Sequence, residues 1–150
     1  MVAELIPRRI QPNVMALARS FPVVTVTGPR QSGKTTLCRM AFPELRYLSL
    51  EDPDDRRFAL DDPRGLLAEL SEGAILDEVQ RVPELLSYLQ GLVDDDPRPG
   101  RFVLTGSANL ALRSDITQSL AGRTALVELL PLDIEERQAL APTDNLWHAV

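Results

Sequence analysis

Gly28-Pro29-Arg30-Gln31-Ser32-Gly33-Lys34-Thr35-Thr36 is the stretch that decides how this chain folds. It has the form G-x-x-x-x-G-K-T, and its lysine is the only one in the sequence; the other basic side chains are arginines. A compact ammonium on a flexible stem can reach between two phosphates as a point charge. A planar guanidinium is larger and forks differently. The residues just before, Val23-Val24-Thr25-Val26-Thr27, are all β-branched and read as a buried parallel strand. Residues 35–41 follow with helix-compatible side chains and no breaker. Strand, glycine loop and helix is the context in which backbone N–H groups and a helix N-terminus hold phosphates. Gly28, Pro29, Arg30, Gln31, Ser32, Gly33, Lys34, Thr35 and Thr36 are therefore the expected nucleotide-binding residues.

The 150 residues make one domain's worth of chain, long enough to bury a core. No apolar run approaches the length of a membrane span, and the N-terminal residues lack an apolar signal core. One cysteine, Cys38, excludes an internal disulfide. The expected compartment is the cytoplasm. A net charge of −6 argues against a broadly basic nucleic-acid surface, and the Arg8-Arg9 and Arg56-Arg57 pairs read as solvated faces.

Working outward, Val14, Leu17, Ala18 and Phe21 recur at helical spacing ahead of the first strand. Residues 45–50 alternate as a second strand that runs into the acidic turn Glu51-Asp52-Pro53. Asp62-Pro63 supplies an N-cap and first position for a helix with Leu66, Leu67 and Leu70 on its apolar face, stopped by Gly73. Ala74-Ile75-Leu76-Asp77 is a third strand ending in acid. Pro83 opens a helix carrying Leu85, Leu86, Leu89, Leu92 and Val93, and residues 94–100 form a loop. Residues 102–105 read as a fourth strand with a polar exit at 107–109. Residues 116–121 are helical up to Gly122, residues 124–129 are a fifth strand, and 131–140 begin a last helix. Strands alternating with helices predict an α/β fold, a parallel sheet with helices on both faces.

Ligands of such sheets sit at the carboxyl ends of the strands. At the first, Lys34 is expected on the β- and γ-phosphates and the Thr35 hydroxyl on Mg2+. The third ends in Asp77-Glu78, about forty residues beyond the loop, the distance at which a second acidic strand end serves a bound nucleotide. Asp77 would anchor the magnesium, and Glu78, pointing elsewhere, would take the proton of an attacking water. The fourth end offers Thr105, Gly106 and Ser107, whose hydroxyls suit a γ-phosphate or the lytic water. Arg123 follows Gly122 where a guanidinium faces either a neighbouring subunit's nucleotide or a surface carboxylate. Cys38 reads as a small hydrophobe facing the sheet. His148 lacks metal-ligand spacing, and Asp94-Asp95-Asp96 lacks the glycine and glutamate of a calcium loop.

Together these blocks resemble the ATPase domain of a prokaryotic AAA+-like family of ATP-binding proteins, in which this domain precedes a carboxyl-terminal domain of uncharacterised function. The resemblance covers residues 6–132. It rests on the phosphate loop, on Leu76-Asp77-Glu78-Val79-Gln80, on Leu104-Thr105-Gly106-Ser107, on Leu120-Ala121-Gly122-Arg123 and on Glu128-Leu129-Leu130-Pro131-Leu132. It implies a P-loop NTPase of three αβα layers with a five-stranded parallel sheet in the order 5-1-4-3-2. It further implies ATP and Mg2+ as ligands, Asp77 and Glu78 as the paired acids, Ser107 as γ-phosphate sensor and Arg123 as arginine finger. Members of the family continue for a few hundred residues more, whereas this sequence stops at Val150, where a helical lid would begin. Residues 1–150 are therefore expected to be an AAA+-like ATP-binding domain without the lid and the carboxyl-terminal domain.

Slow ATP hydrolysis that drives a DNA or protein client, with assembly into a homo-oligomer, is the expectation. Two other readings stay open: a nucleotide-binding module without turnover, and a kinase, against which the Asp77-Glu78 pair argues. Guanine recognition by Asn-Lys-x-Asp is excluded, since the single lysine is in the phosphate loop.

Overall fold

The computed structural model describes residues 9–130. Five parallel strands form the sheet: β1 (Val23–Gly28), β2 (Arg46–Ser49), β3 (Ala74–Asp77), β4 (Phe102–Ser107) and β5 (Thr124–Glu128). Their spatial order is β2-β3-β4-β1-β5, the expected 5-1-4-3-2 read from the other edge. Between them run α1 (Gln11–Ala18), α2 (Lys34–Ala41), α3 (Pro53–Asp61), α4 (Pro63–Glu69), α5 (Leu85–Asp95) and α6 (Leu110–Leu120), with a single 3-10 turn at Val79–Arg81.

The period-two alternation of the strands divides the core between two faces. Val24, Val26, Ile75 and Val103 pack with Val14, Leu37, Cys38 and Ala41 of α1 and α2. Val23, Leu48, Ala74, Leu76, Phe102 and Leu104 pack with leucines of α4 and α5 and with Leu112, Ile116 and Leu120 of α6. The central strands are apolar on both sides, as a sheet covered by helices requires. Among the described residues no helix is long and apolar enough to cross a membrane.

Several boundaries differ from the sequence reading, among them the end of β4, at Ser107 rather than at the expected 105. The acidic turn at Asp52-Pro53 is the start of α3: Asp52 caps it by accepting from Asp55 N at 3.1 Å, the same Asp-Pro device that opens α4. Asn109 likewise caps α6 through Leu112 N at 2.7 Å, so that helix starts at Leu110, six residues before the expected start at 116. Helix α5 continues through Asp95 into the expected loop, which puts Asp94 on its last turn. The helix expected at 131–140 lies outside the described residues.

The start of β4 is held by a buried arginine. Arg101 donates from Nε and Nη2 to Ser71 O (3.0 and 2.7 Å), and from Nη1 to Leu92 O (2.9 Å) and Asp96 O (3.0 Å). One guanidinium thus satisfies carbonyls at the α4 exit and the α5 C-terminus, where helices leave acceptors without partners. Arg101→Met should keep the stem's packing but leave Asp96 O without this donor, and Ser71 O and Leu92 O with Arg98 and Asp96 N alone, lowering stability by about 1–3 kcal/mol. Urea unfolding followed by circular dichroism checks this, and a loss below about 1 kcal/mol would show that water replaces the guanidinium freely.

Candidate functional site

The carboxyl ends of β1, β3 and β4 meet the N-terminus of α2 around a cleft of about 450 Å3 lined by Arg30, Gln31, Gly33, Lys34, Thr35, Thr36, Glu51 and Glu78. The loop reaches its shape through two left-handed residues, Gln31 (φ 61°) and Gly33 (φ 89°). Gly33 caps α2 without a side-chain hydrogen bond. The first amides of that helix are therefore left for a ligand. Gly28 has its own steric reason, because a Cβ there would stand 2.4 Å from Leu129 O. Lys34 is buried, and its Nζ donates to Gly28 O and Pro29 O, both at 3.1 Å. Its charge thus lies against the loop.

Asp77 is 5% exposed and faces the α2 side, two residues after Ile75 on the same strand face. Three hydroxyls from three elements donate to it. Thr35 Oγ1 of α2 lies 2.9 Å from Oδ1 and 3.1 Å from Oδ2. Tyr47 OH of β2 lies 2.6 Å from Oδ2, and Thr105 Oγ1 of β4 bonds Oδ1. Burial, then the hydrogen bond to Asp77, push the Tyr47 phenol up to about 12, so it remains a donor through the neutral range. Thr105 also acts as an acceptor, its Oγ1 receiving Glu78 N at 3.1 Å.

That bond falls where the chain turns. Glu78 adopts a left-handed conformation (φ 62°, ψ 50°), which sends its side chain away from Asp77 and into the cleft. Gln80 Nε2 donates to Glu78 Oε2, and Gln80 Oε1 accepts Ser107 N at 3.4 Å. Ser107 pairs in register with Gly28, so the end of β4 borders the phosphate loop. Gly106 leaves room for this arrangement, since a Cβ there would sit 2.4 Å from Leu112 Cδ2 and 2.9 Å from Gln80 Oε1. At the mouth, Glu51 faces Arg81 at 3.5 Å and Arg30 at 3.8 Å, exposed pairs that contribute little to stability.

Arg123 is not part of this cluster. It precedes β5, and its carbonyl accepts from Val23 N at the first residue of β1, so it sits at the opposite end of the sheet from the loop. There its Nε and Nη2 grip Asp94 Oδ1 and Oδ2 at 2.6 and 3.0 Å. The guanidinium's hydrogen bonds hold the Asp94 carboxyl below the usual carboxylate range. Asp94, expected in a loop without a partner role, thus carries an ion pair. Sequence reasoning assigns no role to Tyr47 or Gln80. Tyr47 is within its reach: with β2 parallel to β3, residues 47 and 75 pair and share a face with Asp77.

A family model described as an AAA domain matches residues 20–138. An uncharacterized protein of Mycobacterium tuberculosis, Rv2008c, is 43% identical over 129 residues, which cover 84% of this chain and 29% of that protein. The chain thus spans less than a third of the length of this curated relative. Among solved structures, the ORC2 protein of Aeropyrum pernix in its ADP form aligns with a TM-score of 0.59 at 17% identity, covering 94% of this chain and 54% of that one. The P-loop NTPase domain of the sigma-54 transport activator from E. coli aligns with a TM-score of 0.55 at 19% identity, covering 83% and 94%. At such identities these two establish the P-loop NTPase fold.

Cys38 reports on whether α2 is seated. It is buried, and desolvation, followed by the charge of Asp77, pushes its thiol up to about 12. An unfolded thiol titrates near ~8.5, so folding is favoured below that pH and loses this contribution as pH climbs toward 12. Iodoacetamide at pH 8 should leave the native chain unmodified over hours and alkylate it in urea. Comparable rates in both states would show α2 detached from the sheet.

Proposed function

Because the chain belongs to the AAA domain family matched over residues 20–138, we propose that it binds ATP with Mg2+ in the phosphate-loop cleft and hydrolyses it. The observation that carries this reading is the contact of Thr35 Oγ1 with both oxygens of Asp77, at 2.9 and 3.1 Å. It joins the loop after β1 to the acid that ends β3. The loop amides and Lys34 hold the β- and γ-phosphates, with Pro29, Arg30, Gln31, Ser32 and Thr36 shaping the turn around them. Thr35 and Asp77 are hard oxygen donors, which suits them to hold magnesium. When bound, that ion neutralises charge on the phosphate oxygens.

Glu78 is the general base in this reading. Its carboxylate points into the cleft and takes the proton of the attacking water, while Gln80 steadies it through one oxygen. Ser107, beside Gly28, contacts the γ-phosphate through its hydroxyl. Arg123 serves a neighbouring copy's nucleotide, at the cost of its bond to Asp94. The turnover assay is run alone, with DNA and with candidate protein clients, since the work that hydrolysis drives lies in whatever stimulates it.

Glu78→Gln should keep Mg-ATP affinity within about twofold while lowering turnover roughly 10²–10⁴-fold, because an amide cannot accept the proton. Lys34→Ala should abolish nucleotide binding by calorimetry. A Glu78→Gln chain that turns over ATP normally removes Glu78 from the mechanism, and unchanged ATP affinity in Lys34→Ala removes the phosphate loop.

Mixing Arg123→Ala chains with Glu78→Gln chains tests the neighbour role. Some interfaces then pair an intact Glu78 with an intact Arg123, and turnover should reappear above the sum of the two separate variants. A rate per subunit that is independent of concentration, and unchanged in Arg123→Ala, assigns this arginine to the Asp94 pair alone.

A further inference from the structure

The hydroxyl of Tyr47 has no part in the reading above, yet it donates to Asp77 Oδ2 at 2.6 Å. We propose that Tyr47 is a positioning residue for the magnesium site, holding the Asp77 carboxylate in the orientation that a metal-bound Thr35 requires. This role rests on Asp77 being the magnesium anchor.

In this structure Thr35 Oγ1 donates across both carboxylate oxygens, so Thr35 and Asp77 currently satisfy each other. A hydroxyl oxygen carries one proton and two lone pairs, so Thr35 can offer a lone pair to a cation and still donate to Asp77, provided the carboxylate keeps its orientation. Two further donors fix that orientation, one per oxygen: Tyr47 on Oδ2 and Thr105 on Oδ1. At 5% exposure the carboxylate has little water to replace a lost partner, so removing either donor frees it to rotate.

The surroundings of Tyr47 suit it to this role. Its phenol arrives from the strand adjacent to β3, two residues diagonal to Asp77, since Tyr47 pairs with Ile75. The ring is pinned from the other side by Arg39 of α2, whose guanidinium carbon lies 4.5 Å from the ring centre. A ring fixed between the phosphate-loop helix and the sheet can hold its hydroxyl still with little further loss of side-chain freedom. Groups that orient a metal's ligand from behind change metal affinity by about 10–100-fold when removed.

Tyr47→Phe deletes the hydroxyl and keeps the ring, its packing and the Arg39 stack. The test is calorimetric binding of a non-hydrolysable ATP analogue, first with EDTA and then across a Mg2+ titration, so that it needs no turnover. In EDTA the variant should bind as wild type within about twofold. The Mg2+ concentration at which affinity is half enhanced should rise about tenfold. An unchanged Mg2+ midpoint overturns the proposal. A midpoint shifted to lower Mg2+ also overturns it and makes the phenol a competitor of the ion. Equal losses with and without Mg2+ assign Tyr47 to structure only. Asp77→Asn run alongside separates the two levels: if it retains the wild-type Mg2+ response, or wild type has none, the anchor reading itself falls.

Discussion

The Asp77 carboxylate, nearly cut off from water and held by hydroxyls of Thr35, Tyr47 and Thr105, is the interaction on which the rest of the arrangement depends. A buried charge is costly unless its oxygens are satisfied, and none of these donors is close to Asp77 in sequence. They converge only if β2 and β4 both flank β3 and α2 packs on the same sheet face, as they do here. The order β2-β3-β4-β1 and the seating of α2 are thus linked through one side chain. Any misregister of β2 by one residue would turn Tyr47 to the other face and leave Oδ2 without its partner.

Thr105 extends this dependence to the neighbouring acid. The same oxygen that donates to Asp77 accepts the amide of Glu78, so it supports the left-handed turn that points Glu78 away. A left-handed glutamate is strained relative to glycine, and such strain persists where surrounding bonds over-determine the backbone. Glycine at 78 would relieve the turn but carry no carboxylate.

The strands and the phosphate loop can be read from the sequence because their signals are local or carried by a motif, while the strand order comes only with the family resemblance. β-branched runs ending in glycine or acid, and one lysine among arginines, need no tertiary knowledge. Helix α3 escapes such a reading since Asp52-Pro53 serves a turn and a helix start equally well, and the difference lies in how Ala59 and Phe58 pack against distant leucines. The start of α6 escapes it because Leu110, apolar yet 84% accessible, stands beside the buried Leu112 and blurs the period that Leu112, Ile116 and Leu120 carry. Within the site, Lys34, Thr35, Asp77 and Glu78 are legible as types at the ends of strands. Tyr47 becomes legible only once β2 is paired with β3, and Gln80 is not, for its significance is a distance around a turn. Arg123 is readable as a choice between two partners, and the structure supplies Asp94 as the one present in a single chain.

Apart from the terminal amine, the chain owns one primary amine, that of Lys34, and it is tucked under the loop against Gly28 O and Pro29 O. Amine-directed acylation therefore has a single internal target, and its rate measures how often the loop releases that side chain. Mass spectrometry of one modified peptide would follow loop opening without any engineered probe. Natural acylation of lysine, where it occurs, has in this segment only one internal place to act, and acting there would remove the charge held against the loop carbonyls.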